Sequence, residues 1–580
     1  NAGVISGDAP RIIVSETLSN QQGAKILGKD SLTVSGKGTI DNQGTVAGEK
    51  ALALENKTFI NHNVVHSGGA MRLALQEKMT NVGTGRVTAL GQAIVEGKST
   101  IQNDASLQEN AGFAFAGGVH FNNFQGEVIN AGLMTSQTTM TGSLRKLINT
   151  GTFGASRGYQ GLTILDFLND ATGKFLGDGH LILNGRNRGL MQADRLLLQI
   201  DGEFTHEATG LLQIKTDLDT RGEGKFFQRG QVHTPLFTVN TTHFESFGSL
   251  GDNAMEVVVG RFVRNWKNHE KSHFKAKRLT LERGQGSAAS ALDAFVNEGT
   301  LEIGTFINRR SGFTNRGQMT LGHWHQLGLS FKNALGGEID VSESSEVDTD
   351  TIDNEGDINW EGPLKGRLRQ FLNQGGVKIQ DDAHLAGTRL VNKKIFKALS
   401  VFDWVGETVE NDGRMVLFDN RVIAARQIIN KGLLLWTHNV LKAAHFLNLG
   451  WAEAIPQLDT SMPTWKISKD KSTTFREETI ENRGILKLVR RNYTDDFTFR
   501  WVEHFMHWLN TGVMVLPATH LNAQTFKNDS SVTIVEGGIT GQVVHFENTQ
   551  KLMMAERCDL TGKTFENSGV LKLKKGGTYK

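Results

Sequence analysis

Acidic pairs and triplets are the first residues whose types and spacing suggest chemistry: Asp381-Asp382, Asp495-Asp496 and the Asp348/Asp350/Asp353 group. Facing carboxylates can divide general acid and general base work, as polysaccharide cleavage demands, but only where separate chain segments bring them together. Spacing alone does not show such a meeting, and turns or solvated strand faces use the same residues. His323-Trp324-His325 sets two imidazoles on one face of a strand, where a metal could be ligated. Without a third histidine or a carboxylate in reach, a surface or packed role is the simpler reading. Cys558 is the single cysteine, so neither an internal disulfide nor a multi-cysteine metal site can form, and a small buried thiol is expected. No catalytic residue, metal or cofactor is assigned.

Two stretches could meet a partner. Arg261-Phe-Val-Arg264-Asn-Trp266-Lys267, continuing through Lys271, Phe274, Lys275, Lys277 and Arg278, mixes cations with aromatics and would suit an anionic glycan or a negatively charged surface. Solvated outward positions of strands give the same pattern. The second stretch holds Trp451, Pro456, Pro463 and Trp465, then Tyr493, Phe497, Phe499 and Trp501. The candidate contact residues are therefore Arg264, Trp266, Lys267, Trp451, Trp465, Tyr493, Phe497, Phe499 and Trp501.

What must position these residues is a repeat. Asn297-Glu298-Gly299-Thr300-Leu301-Glu302-Ile303 spells Asn-x-Gly-x-apolar-x-apolar, and the phrase returns at Asn315, Asn354, Asn411, Asn430, Asn510 and Asn567. A large apolar residue often stands two places before the asparagine, as at Phe295, Phe371, Ile428, Phe446, Trp508 and Phe565. From Asn354 through Asn373, Asn392, Asn411 and Asn430 each step is 19 residues, and Asn448 follows after 18. Asn1, Asn20, Asn42, Asn61, Asn81 and Asn103, then Asn130, Asn149 and Asn169, keep steps of 19 to 22 within each run. A fixed period near 20 marks a solenoid.

Apolar residues at every second position (Leu301/Ile303, Met415/Leu417, Leu486/Leu488) make the unit all strand. About 20 residues hold three short strands and three corners, so the chain is predicted to be an all-β, right-handed parallel β-helix of roughly 28 coils. At about 4.8 Å per coil, one rod on the order of 130 Å follows. Glycine two places after the asparagine turns the chain without a Cβ penalty. Each inward carboxamide is expected to lie over that of the coil below and to hydrogen-bond to it. This ladder should contain Asn42, Asn81, Asn130, Asn149, Asn297, Asn315, Asn354, Asn373, Asn411, Asn430, Asn448, Asn482, Asn510 and Asn567. Between about 170 and 296 it weakens, with His206, Gln228 and Ser246 standing where asparagine would.

Residues 1–450 thus read as regular coils, 451–510 as coils interrupted by aromatic insertions, and 511–580 as further coils. The step from Asn103 to Asn130 implies an irregular coil or a bulge. Six prolines in 580 residues suit strands paired on both sides, since proline cannot donate to a ladder. A net charge of +2 gives no field directed at nucleic acid or membrane. No run approaches the ~20 apolar residues of a spanning helix. Asn1-Ala-Gly3 opens on a corner and Leu571-Lys-Leu573 is an ordinary strand, as expected of a segment cut from a longer chain.

The repeated Asn-x-Gly-x-apolar-x-apolar, as in 297–303, 354–360 and 567–573, resembles the haemagglutinin repeats of filamentous haemagglutinin-type exoproteins, including the effectors of contact-dependent growth inhibition. The resemblance implies a secreted or surface-displayed bacterial adhesin exported by an outer-membrane transporter in two-partner secretion. It also implies a shaft that meets a receptor or glycan on another cell, or carries a toxic tip, in virulence or competition. Against this shaft reading stands a β-helical polysaccharide lyase or hydrolase, which would need a carboxylate cluster in a groove built by long loops.

Overall fold

The computed structural model describes the chain apart from residues 106–110, 284–293, 311, 419–421, 437–439, 455–478, 489–500, 517–518, 535–537 and 555. It is a β-solenoid of parallel strands, about 26 turns of ~19 residues and 71% strand, with no helix among the described residues. It divides into two compact units, Asn1–Ile303 and Gly304–Lys580. The turn count is below the expected 28 because long steps add residues without adding turns. Asn448 bonds directly to Asn482 across 34 residues, and Asn482 to Asn510 across 28.

In the first unit the early turns have the three strands that the repeat length predicts. Val4–Gly7 pairs with Lys25–Gly28, Arg11–Ile13 with Ser31–Ser35, and Thr17–Asn20 with Thr39–Asn42, all parallel. In Val119–Asn130 the second and third strands fuse into one bent strand, which pairs with Met140–Asn149 and, through it, with Tyr159–Asn169. Two strands make each of these turns. Gly142 sits at such a bend with φ of 92°, and a Cβ there would lie 2.0 Å from the Phe121 carbonyl oxygen, so only glycine fits. The long step from Asn103 to Asn130 includes residues 106–110, outside the described residues, and its later part contains a bulge. The register shifts on both sides of Phe124, Asn123 has positive φ, and Phe113 and Phe115 are core residues.

The second unit is more uniform. Asp357–Trp360, Gly376–Ile379, Ile395–Ala398, Arg414–Leu417 and Leu433–Trp436 pair in unbroken register, as do the longer strands ending at Asn373, Asn392, Asn411 and Asn430. Alternation does the packing. Val513–Leu516 and Ser531–Ile534 present every second side chain inward. The residue two before the asparagine builds an internal column: Phe526 stacks on Phe546 at 5.1 Å, and Phe546 on Phe565 at 4.6 Å.

The predicted ladder is present. In the first unit Asn1, Asn20, Asn42, Asn61, Asn81, Asn103, Asn130, Asn149, Asn169 and Asn187 form a continuous chain, each Nδ2 donating to the next Oδ1 at 2.7–3.0 Å. Asn268 donates to Asn297 at 2.8 Å. In the second unit the chain runs from Asn315 through Asn333, Asn354, Asn373, Asn392, Asn411, Asn430, Asn448, Asn482, Asn510, Asn528 and Asn548 to Asn567 at 2.6–2.8 Å. The second amide hydrogen is used as well, as where Asn354 Nδ2 donates to the Gly376 carbonyl at 2.9 Å.

His206, Gln228 and Ser246 occupy ladder positions, since Asn187, His206, Gln228, Ser246 and Asn268 follow one another in strand register. The weak stretch is narrower than 170–296, because Asn187 and Asn268 are themselves asparagine rungs.

Asn411→Ala should cost about 1–3 kcal/mol, because the Asn392 donor and the Asn430 acceptor both lose a buried partner. Denaturant titration of the variant measures this, and an unchanged midpoint would count against the ladder as a stabilising element.

Candidate functional site

Outward side chains of adjacent turns stand in columns, so the candidate site must be assembled from residues about one turn apart. In the first unit, Arg264 is exposed beside Phe262, which is 53% exposed and lies under the Arg261 guanidinium at 6.0 Å. Lys267 also faces outward but is engaged, its Nζ 3.0 Å from Glu298. His273 and Lys275 converge on Glu302 at 2.9 and 2.7 Å. The Lys275 ammonium holds the Glu302 carboxyl below its ordinary range. Trp266 is not a contact residue. It is fully buried, because it stands two places before the Asn268 rung and so falls in the inward column. Phe274 is core as well.

The same columns bring together residues that the sequence reading missed. Glu245 accepts from His243 Nε2 at 2.5 Å and from His269 Nε2 at 2.7 Å. His269 lies flat on Phe247, ring centroids 3.9 Å apart, and the Arg229 guanidinium lies over the same ring at 5.0 Å. Burial alone would push the Glu245 carboxyl up; the two imidazole hydrogen bonds outweigh it, and the carboxyl sits below its ordinary value. The signal was available in the spacing from the corner: Glu245 directly precedes a ladder residue and Phe247 directly follows it, both outward positions.

Elsewhere in this unit an open depression of about 580 Å³ is lined by Asp178, Gly179, His180, Asp194, Arg195, Leu197 and Thr216. Its charges are engaged: Asp178 accepts the Asp194 amide at 2.5 Å, Asp194 pairs with Lys215 at 2.5 Å, and Arg195 with Asp217 at 2.7 Å.

In the second unit Trp451 does face solvent, 38% exposed. Its Nε1 donates to Glu453 at 2.9 Å and Lys487 Nζ lies 4.3 Å over the ring, so the indole is held in one orientation by both neighbours. Leu433 and Ile485 flank it in register on adjacent strands. Trp465, Tyr493, Phe497 and Phe499, with Asp495-Asp496, lie outside the described residues. Trp501 begins the strand Trp501–Asn510, of which the backbone register is described at that position.

The remaining motifs take structural roles. Trp324 is fully buried while His323 and His325 flank it outward, His323 against Ser344 and Glu343 at 2.8 and 2.6 Å and His325 3.4 Å from Glu346. Asp348 and Asp350 are exposed, Asp353 lies 3.7 Å from Lys332, and Asp382 accepts from Ser400 at 2.8 Å. Among the described residues no group of three or more His, Cys, Asp or Glu could hold a metal ion, and no helix is long and apolar enough to cross a membrane.

Comparison with protein-family models, curated proteins and solved structures returned no match for this chain. The class established is that of the fold, a parallel β-solenoid repeat protein.

Cys558 is buried, as expected, and burial with the adjacent Asp559 pushes its thiol up to about 11. Alkylation of the folded chain near pH 8 should therefore run about 100-fold slower than that of an ordinary exposed cysteine, the thiolate being correspondingly scarce. Mass spectrometry of the adduct with time checks this, and denaturant should restore the ordinary rate.

Proposed function

We propose that this chain is the structural shaft and adhesive surface of a bacterial secreted or cell-surface exoprotein, of the filamentous haemagglutinin type, that mediates contact with another cell or presents a receptor-binding or toxic tip. Export by a partner transporter in the outer membrane belongs to the same proposal. The observation that supports it is the regularity of the Gly304–Lys580 unit, where one ladder runs from Asn315 to Asn567 without a missing rung even where the step lengthens to 34 and 28 residues. A repeat held this uniformly serves spacing and display. On its surface Trp451 offers an oriented aromatic ring between a carboxylate and an ammonium, a pattern suited to a receptor or a glycan.

The polysaccharide-active enzyme is the second reading, and the depression around Asp178 and Asp194 favours it, because carboxylates of adjacent turns meet there. Their occupation by backbone amides and Lys215 weighs against a free acid and base. Incubating the purified chain with immobilised glycans and with soluble polysaccharides separates the two. Retention on a subset of glycans without chain cleavage is expected, and Trp451→Ala should weaken retention by about 10-fold or more if the ring is an anchor. Release of oligosaccharides, lost in Asp194→Asn, would overturn the shaft reading.

A further inference from the structure

We infer that the turns around His206 form an acid-sensitive joint in the Asn1–Ile303 unit, at which the asparagine ladder opens on acidification while turns held by asparagine alone stay closed. The inference is independent of the adhesive reading and rests on how the imidazole is wired. His206 is fully buried at a ladder position. Its Nε2 donates to the Gln231 carbonyl at 2.9 Å, and its Nδ1 accepts from Asn187 Nδ2 at 3.1 Å. Both roles require the neutral ring protonated at Nε2.

Acid cannot be absorbed by turning the neighbour over. A proton on Nδ1 would face the Asn187 amide donor, and Asn187 could present its oxygen only by flipping its carboxamide. That oxygen already accepts from Asn169 Nδ2 at 2.8 Å, and the same polarity continues back to Asn1. One flip would set donor against donor at the next rung, so the whole chain would have to reverse together.

Nor is a counter-charge at hand. The strands on either side bring Asn187 and Gln228 into register with His206, and Gly210 and Gly230 bring backbone close to the ring. Arg188, Glu207 and Arg229, which follow the ladder residues, are partly or fully exposed. The next titratable cluster, His243, Glu245 and His269, is on the outer face two to three turns on. Above His206 the ladder is also thin: Gln228 turns its amide to the Gly230 and Ser249 carbonyls and meets only Ser246. Opening here would expose the Phe204, Phe226 and Phe244 column, whose rings lie 5.5–5.7 Å apart.

Burial lowers the His206 imidazole from 6.5 to about 4, the bond to Gln231 opposing in part. The sign follows: between those values the open form binds a proton that the closed form does not, so closure is favoured above the higher value and is lost progressively as pH falls toward the lower. With these limits the opening equilibrium of the His206 turns rises about 20-fold from about pH 7 to about pH 5.

Hydrogen exchange with mass spectrometry on the intact chain, corrected for intrinsic rates, tests this on peptides from 200–231 against peptides from 372–412. Loss of protection of about 20-fold at about pH 5 is expected in the first set alone. His206→Asn, which extends the asparagine ladder by one rung and removes the titrating ring, should abolish that loss while leaving exchange near neutral pH protected. Equal acid response in both peptide sets, or an acid response in 200–231 that persists in His206→Asn, would overturn the inference.

Discussion

One hydrogen bond, repeated, constrains everything else: the carboxamide of a corner asparagine donating to the carboxamide of the corner in the next turn. A buried amide has two donors and an acceptor that must be met, and in these turns they are met by the turn ahead, the turn behind and a backbone carbonyl. Fixing that edge fixes the register of both flanking strands. Register in turn fixes which alternate side chains go inward, since a slip of one residue would expose the Phe526–Phe546–Phe565 column. The bond also has a direction, and because every rung in a run shares it, no single rung can reverse alone.

Insertions are tolerated because the constraint is local to the corner. Between Trp451–Ala454 and Thr479–Asn482 the sequence lengthens the step to 34 residues, yet the rung closes at 2.7 Å, against 2.8 Å where the step is 18. Loop-closure entropy grows only slowly with length, so a longer excursion costs little once both ends are pinned by strands and a rung. Bulges follow the same logic: at Phe124 the outer strand slips register twice, yet Asn103 still reaches Asn130.

The fold was legible in the sequence to the level of single rungs, because Asn-x-Gly with alternating apolar residues is a local pattern with a long-range consequence. His206, Gln228 and Ser246 could be placed in the ladder by their neighbours Phe204, Phe226 and Phe244. Trp266 was misplaced for want of the same step: it precedes Asn268 as Phe295 precedes Asn297, and recognising that rung would have turned it inward. Outer-face geometry was less legible. Whether Lys267 meets Glu298, or Glu245 gathers two histidines, depends on which residues of successive turns become neighbours, and steps that vary between 18 and 34 residues hide this until the register is known.

The inner and outer faces therefore carry different kinds of information. Inside, most ladder positions answer to an asparagine above and below, and a substitution such as His206 is felt along the run because polarity and burial leave it no alternative partner. Outside, neighbours need not be alike, and the ion pairs there lie among partly exposed side chains where each contributes little to stability. Such a surface can vary from turn to turn without cost to the fold. Trp451, braced by Glu453 and Lys487 on a strand whose inward side chain, Ala452, is core, shows how a contact residue can be held rigidly by the solenoid without being required by it.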